Sequence, residues 1–264
     1  MNADFPSGTI LITGGVSGIG LATAEVLLQE GADRCALIDL NPPSPGLVEG
    51  LEAKFGAGRA RAFQCNVAAR DDVAATVAAV AAESPIAGLV NCAGVLLAKP
   101  SLDLTLDDLH RLFDIHVGGS LFTAQSAVRH WTEAGVSGAI VNVSSIAAAF
   151  GSPGRLPYSV AKTGIEAVTR TLAVEWARWN IRVNAVAPGS VDSPMMADGK
   201  RPPGIRSLSE AADRNALGRV GATAEIGQAI AFLLSSKSSF MTGAVVPVDG
   251  GFTITKDSAK ELAQ

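Results

Sequence analysis

Along this chain of 264 residues, short runs of apolar and β-branched residues alternate with longer amphipathic stretches, and no other feature limits the fold as strongly. The runs lie at 9–13, 35–39, 60–64, 88–91, 139–143, 182–186 and 245–248, with helical patterns between them. Strands joined through helices pair in parallel, because a crossover is needed to return the chain to the same end of the sheet. Right-handed crossovers then lay helices on both faces. The runs AIVNV and RVNAVA are apolar nearly throughout, as strands covered on both sides must be. The expected architecture is α/β, a doubly wound, Rossmann-like parallel sheet of about seven strands, in a single domain over 1–264.

Composition excludes several classes of function. Hydrophobic residues make up 48% of the chain, but much of that is alanine spread along helices, and no block of about 18 apolar residues marks a membrane span. The start, MNADFPSGTI, has neither the basic residues nor the apolar stretch of a secretory signal, so the expected location is the cytoplasm. With 21 basic against 25 acidic residues, no basic tract is available to neutralise a nucleic-acid backbone. Cys35, Cys65 and Cys92 sit in or beside strand-like runs without CxxC spacing and read as buried free thiols. His110, His116 and His130 form no metal-ligand pattern, and no metal is expected.

The first strand runs directly into Thr13-Gly14-Gly15-Val16-Ser17-Gly18-Ile19-Gly20, and a helical pattern follows. Glycines at 14, 18 and 20 permit a tight turn and a close approach of backbone to a pyrophosphate, whose charge then faces a helix amino terminus. Asp39 closes the second strand, where a carboxylate can accept from the adenosine ribose hydroxyls and repel a 2′-phosphate. Neither Ser17 nor Leu40 and Asn41 supplies the cation that NADP would need, so NAD is the expected cofactor over NADP. The alternative for Asp39 is a turn or helix cap, which leaves the cofactor open.

Tyr158 and Lys162 are four residues apart and share one face of a helix. A neighbouring ammonium and a positive nicotinamide ring both favour the phenolate, which makes an otherwise poor base useful at neutral pH. Ser145 lies just beyond an apolar strand, where its hydroxyl can hold a substrate oxygen beside the phenol.

Taken together, TGGVSGIG at 13–20, Asp39, NCAG at 91–94, VNVSS at 141–145, Tyr158 with Lys162, RVNAVAPG at 182–189 and VDGG at 248–251 resemble the short-chain dehydrogenase/reductase family over nearly the whole chain. The resemblance implies Tyr158 as general acid/base, Ser145 as the group orienting the carbonyl, and Lys162 as the residue that lowers the tyrosine pKa and binds the nicotinamide ribose. It assigns Pro188, Gly189, Val191 and Ser193 to the nicotinamide, Asn66 and Val67 to the adenine, and Asn91, Ala93 and Gly94 to the segment beneath the adenosine. A homotetramer or homodimer is implied as well.

This chain departs from the family pattern at Cys92 and Asn66, where an asparagine and an aspartate are usual, and at His116, which stands for a tetrad asparagine. His116 keeps the main-chain carbonyl that holds a relay water in the family. Its side chain either adds a group titrating near neutral pH or merely packs in its helix.

Val95, Leu96, Ala147, Phe150, Ser190, Met195 and Met196 are expected to line an apolar substrate pocket, under a loop at about 193–219 that follows a strand's carboxyl end. The expected function is hydride transfer between NAD and a secondary alcohol or ketone with an apolar cyclic, aryl or diol skeleton. The competing reading is a dinucleotide-binding regulatory or scaffold protein that keeps this fold without chemistry.

Overall fold

The computed structural model describes residues 4–197 and 207–255. Seven strands form one parallel sheet: β1 (Thr9–Thr13), β2 (Arg34–Asp39), β3 (Ala60–Gln64), β4 (Ile86–Asn91), β5 (Gly138–Val143), β6 (Ile181–Pro188) and β9 (Val245–Val248), in the order β3-β2-β1-β4-β5-β6-β9. All seven expected runs are strands, extended by one to three residues at β2, β4, β5 and β6. The order reverses direction between β1 and β4, and the carboxyl ends of these two strands open the crevice at which open α/β sheets bind ligands.

Helices cover both faces: α1 (Gly18–Gln29), α2 (Leu47–Phe55), α3 (Arg70–Glu83), α4 (Leu106–Phe113), α5 (Gly119–Ala134), α6 (Leu156–Trp176), α7 (Leu208–Ala212) and α8 (Thr223–Leu234). The alternation of side chains along a strand explains how one sheet feeds two cores. On β1, Ile10 and Ile12 pack with Leu27, Ile226 and Ile230 from α1 and α8, while Leu11 packs with Val77, Val128 and Trp131 from α3 and α5. The Trp131 ring rests on Gly138, where a Cβ would come within 2.3 Å of it, and the indole N–H donates to the Ile86 carbonyl at 2.7 Å.

A second, two-stranded parallel pair, β7 (Val191–Asp192) with β8 (Gly221–Ala222), was not expected, since two residues carry no readable period. It brackets the loop expected at about 193–219. The loop is also not without structure: α7 begins at a capping box in which Ser207 and Glu210 satisfy each other's backbone N–H groups. Residues 198–206 of the expected loop lie outside the described residues. Among the described residues no helix is long and apolar enough to cross a membrane.

Candidate active site

The glycine turn is shaped by backbone contact. Gly14 takes φ +67°, and a Cβ on Gly20 would sit 2.1 Å from the Gly14 carbonyl oxygen, so a side chain there is excluded. Ser17 stands at the amino-terminal end of α1 without a side-chain capping bond, which leaves the first-turn N–H groups beside Gly18, Ile19 and Gly20 directed to a cleft that these residues line. At the far end of β2, Asp39 also lines the cleft and accepts from the Asn41 N–H at 3.1 Å, so the carboxylate serves the turn through one oxygen. Free helix-terminal donors, a side-chain-free approach and a carboxylate one strand away fit a nicotinamide dinucleotide.

The cleft continues past Asn66, Val67, Ala93 and Gly94 to a wall that carries Ser145, Tyr158 and Lys162. Pro157 in the first turn of α6 starts the helix that spaces Tyr158 and Lys162 by four residues. The Lys162 ammonium is buried, donates to the Val143 carbonyl at 2.7 Å and lies 5.6 Å from the centre of the Tyr158 ring. Burial pushes its pKa down to about 8. Burial also raises the Tyr158 phenol, against which the Ser145 hydrogen bond and the Arg155 charge act. Ser145 Oγ accepts from the Ala147 N–H at 3.2 Å, which fixes the hydroxyl in place.

His116 lies in a π-helical turn, Asp114–Gly118, that interrupts the passage from α4 to α5. Such single turns widen a helix and re-aim the side chains in it. The imidazole is buried, stands edge-on to Tyr158 with ring centres 5.7 Å apart, and fills the space a Cβ on Gly94 would need. Its Nε2 is 3.2 Å from the Val95 nitrogen and 2.9 Å from the Val95 oxygen, so either tautomer ties the pocket-lining segment to the helix. Nδ1 is buried without a protein partner. Burial, with the Lys162 charge, pushes the imidazole pKa down to about 3, and the bond to Val95 opposes that only in part. Burial thus counts against a group titrating near neutral pH and supports the alternative of a ring that packs in its helix.

Most of the residues expected at the site do line one continuous cleft of about 400 Å³, namely Gly14, Ser17, Gly18, Ile19, Gly20, Asp39, Leu40, Asn66, Val67, Ala93, Gly94, Val95, Leu96, His116, Phe150, Pro188, Gly189, Ser190, Val191, Ser193, Met195 and Met196 with the Ser-Tyr-Lys trio. Four expected residues stand behind its wall and not in it. Thr13 accepts from the Cys92 and Ala93 N–H groups, both at 3.1 Å, and so joins the ends of β1 and β4. Val16 packs into the core on the α1 side. Asn91 donates to Ser120 and Asn142 and accepts from Thr123 within a buried network. Ala147 acts on Ser145 as described.

Arg155, Arg214 and Phe252 line the cleft without having been expected there. Arg214 and Phe252 carry no motif and arrive from chain segments far from Tyr158. Cys35 and Cys65 are buried thiols as expected, whereas Cys92 is only half-buried, with its thiol pushed up to about 11 by burial; Cys65 and Cys92 both line the cleft.

A glycine-turn cleft at the switch point of a parallel sheet, lined also by Ser145, Tyr158 and Lys162, is the arrangement of a nicotinamide-dependent oxidoreductase. The family model described as enoyl-(acyl carrier protein) reductase matches residues 14–253, and the chain belongs to the short-chain dehydrogenase/reductase family. It is similar to the cis-4-hydroxycyclohexanecarboxylate dehydrogenase of Sinomonas cyclohexanicum, 39% identical over 96% of this chain and 99% of that one. A 2,5-dichloro-2,5-cyclohexadiene-1,4-diol dehydrogenase of Sphingobium indicum is 35% identical over 95% and 99%. The crystal structure of gox2181 superposes with a TM-score of 0.88 at 29% identity, covering 96% of this chain and 98% of that one.

Proposed function

We propose that the chain oxidises a cyclic secondary alcohol, or reduces the corresponding ketone, with NAD as cofactor and Tyr158 as the acid/base. The observation that carries this reading is the convergence of Ser145, Tyr158 and Lys162 on one wall of the cleft that begins at the glycine turn. The nicotinamide, when bound, supplies the hydride acceptor or donor. Ser145, its hydroxyl held by Ala147, fixes the substrate oxygen against the phenol. Tyr158 then takes the hydroxyl proton in oxidation and returns it in reduction. Lys162 places a positive charge near the phenol and favours its ionised form.

Asp39 supports NAD, since its carboxylate repels a 2′-phosphate and no cation stands at Ser17, Leu40 or Asn41. The cyclic skeleton is supported by the apolar lining of Val95, Phe150, Met195, Met196 and Phe252 and by the ring alcohols named for the two relatives. Self-association is also part of the reading: Leu106, Phe113, Val160 and Val174 are exposed on the α4 and α6 stretches.

The test is absorbance at 340 nm with NAD or NADP and a panel of cycloalkanols, comparing the wild type with Tyr158→Phe. Turnover with NAD that falls at least about 10²-fold in the variant is expected. Cofactor binding without turnover on the whole panel would favour the regulatory reading.

A further inference from the structure

The chain carries a net charge of −4, yet beyond the catalytic trio the described charged residues lining the substrate end of the cleft are two arginines, Arg155 and Arg214. The one described carboxylate in the lining, Asp39, belongs to the opposite, glycine-turn end. Arg155 immediately precedes α6, and its charge acts on the Tyr158 phenol. Arg214 follows α7, with its guanidinium carbon 5.5 Å from the centre of the Phe252 ring. Phe252 in turn packs on Phe150, ring centres 5.2 Å apart, so the aromatic pair links Arg214 to the segment between Ser145 and Tyr158.

Among the described residues, no carboxylate forms an ion pair with Arg214; the ion pairs are made elsewhere on the surface. A guanidinium resting on an aromatic ring is weakly hydrated and held in orientation, and it retains in-plane N–H donors matched to a carboxylate. Bidentate Arg–carboxylate bonds are short and roughly twice as strong as neutral ones. A cation so placed beside an apolar pocket discriminates between substrates that share a ring and differ in charge.

We propose that Arg214, reinforced by Arg155, forms an anion subsite at the substrate end of the cleft, and that the preferred alcohol carries a carboxylate on the side of its ring away from the carbinol. The ring lies against Phe150, Phe252 and the two methionines, with the carbinol at Ser145 and Tyr158 and the carboxylate at Arg214. This inference rests on the oxidoreductase reading for the reaction, while the subsite can be tested by binding alone.

The experiment titrates cyclohexanecarboxylate and its neutral match, cyclohexanecarboxamide, into the chain saturated with NADH, read by nucleotide fluorescence and calorimetry. The carboxylate is expected to bind at least about tenfold more tightly, and that ratio is expected to fall below about threefold in Arg214→Gln while Arg214→Lys retains part of it. The same ratio is then measured as kcat/KM for 4-hydroxycyclohexanecarboxylate against its carboxamide. Equal binding of acid and amide by the wild type, or a preference that persists in Arg214→Gln and Arg155→Gln alike, overturns the subsite. Turnover of neutral cyclohexanols with no preference for the acid overturns the subsite and leaves the reaction standing. An Arg214-dependent preference in binding with no turnover of either alcohol upholds the subsite and removes the reaction.

Discussion

His116 shows how much one side chain can be redirected by its surroundings. Its ordinary pKa is near 6.5, and burial brings it to about 3, so the unfolded chain takes up a proton below pH 6.5 that the folded chain refuses. The stability this group contributes is present above pH 6.5 and is lost as pH falls from there toward 3. Between pH 6.5 and 5 the loss amounts to about 2 kcal/mol, or about 5 °C in Tm for a chain of this size. His116→Asn should flatten the decline of Tm over that interval by this amount, measured by calorimetry. The pKa values of the pH–rate profile should be the same in the variant and the wild type, because a neutral ring contributes no titration of its own. A shift of either limb by a full unit would restore the titrating role.

Legibility at this scale was uneven for a physical reason. That Ser145, Tyr158 and Lys162 meet at one cleft could be read because a helix and a strand end enforce their spacing. Arg214 and Phe252 could not, since a residue enters the pocket from α7 or from the end of β9 only through packing between distant segments, which leaves no local pattern.

Arg182 exerts its influence through an element. From β6 its guanidinium donates to the carbonyls of Leu233, Leu234 and Ser235 at 2.8, 3.1 and 3.1 Å and to Ser238 Oγ at 2.9 Å, closing the carboxyl end of α8. A cation at that end meets the negative pole of the helix as well as its unpaired carbonyls. Arg182→Met keeps the apolar stem and removes every donor. It should cost about 3 kcal/mol and lower Tm by about 10 °C in thermal unfolding. Because Ile226 and Ile230 of α8 share a core with Leu27 of α1, the loss should be accompanied by weaker dinucleotide binding at the glycine turn. A Tm within 2 °C of the wild type would mean that solvent serves these carbonyls equally well. The seven sheet strands were the most legible elements, since strands covered on both faces must be apolar throughout. The π-helical turn at Asp114–Gly118 was not legible, because its local sequence reads as continuous helix and the extra residue is accommodated only by what packs around it.

For the whole molecule, the exposed apolar side chains of α4 and α6 bear on assembly. Phe113 is 49% and Val174 80% exposed, more than a chain that remains alone usually leaves uncovered on neighbouring helices. Light scattering should give a particle mass that is a multiple of 26.9 kDa, and introducing Phe113→Glu and Val174→Glu together should move it toward a single chain. A wild type that already scatters as 26.9 kDa would refute self-association.

The sequence by itself made legible the parallel sheet and the meeting of the glycine turn with Ser145, Tyr158 and Lys162 at one cleft, because each follows from period, spacing and the chemistry of a few side chains. Tertiary structure decided which residues face the cleft and which stand behind it. Thr13 and Asn91 belong to the same motifs as their cleft-facing neighbours, yet their side chains turn inward to hold β1, β4 and α5 together, since a buried polar group must find a partner wherever the fold puts it. Tertiary structure alone also buried His116 and brought Arg214 to the cleft, for both depend on contacts between segments that the linear order keeps apart.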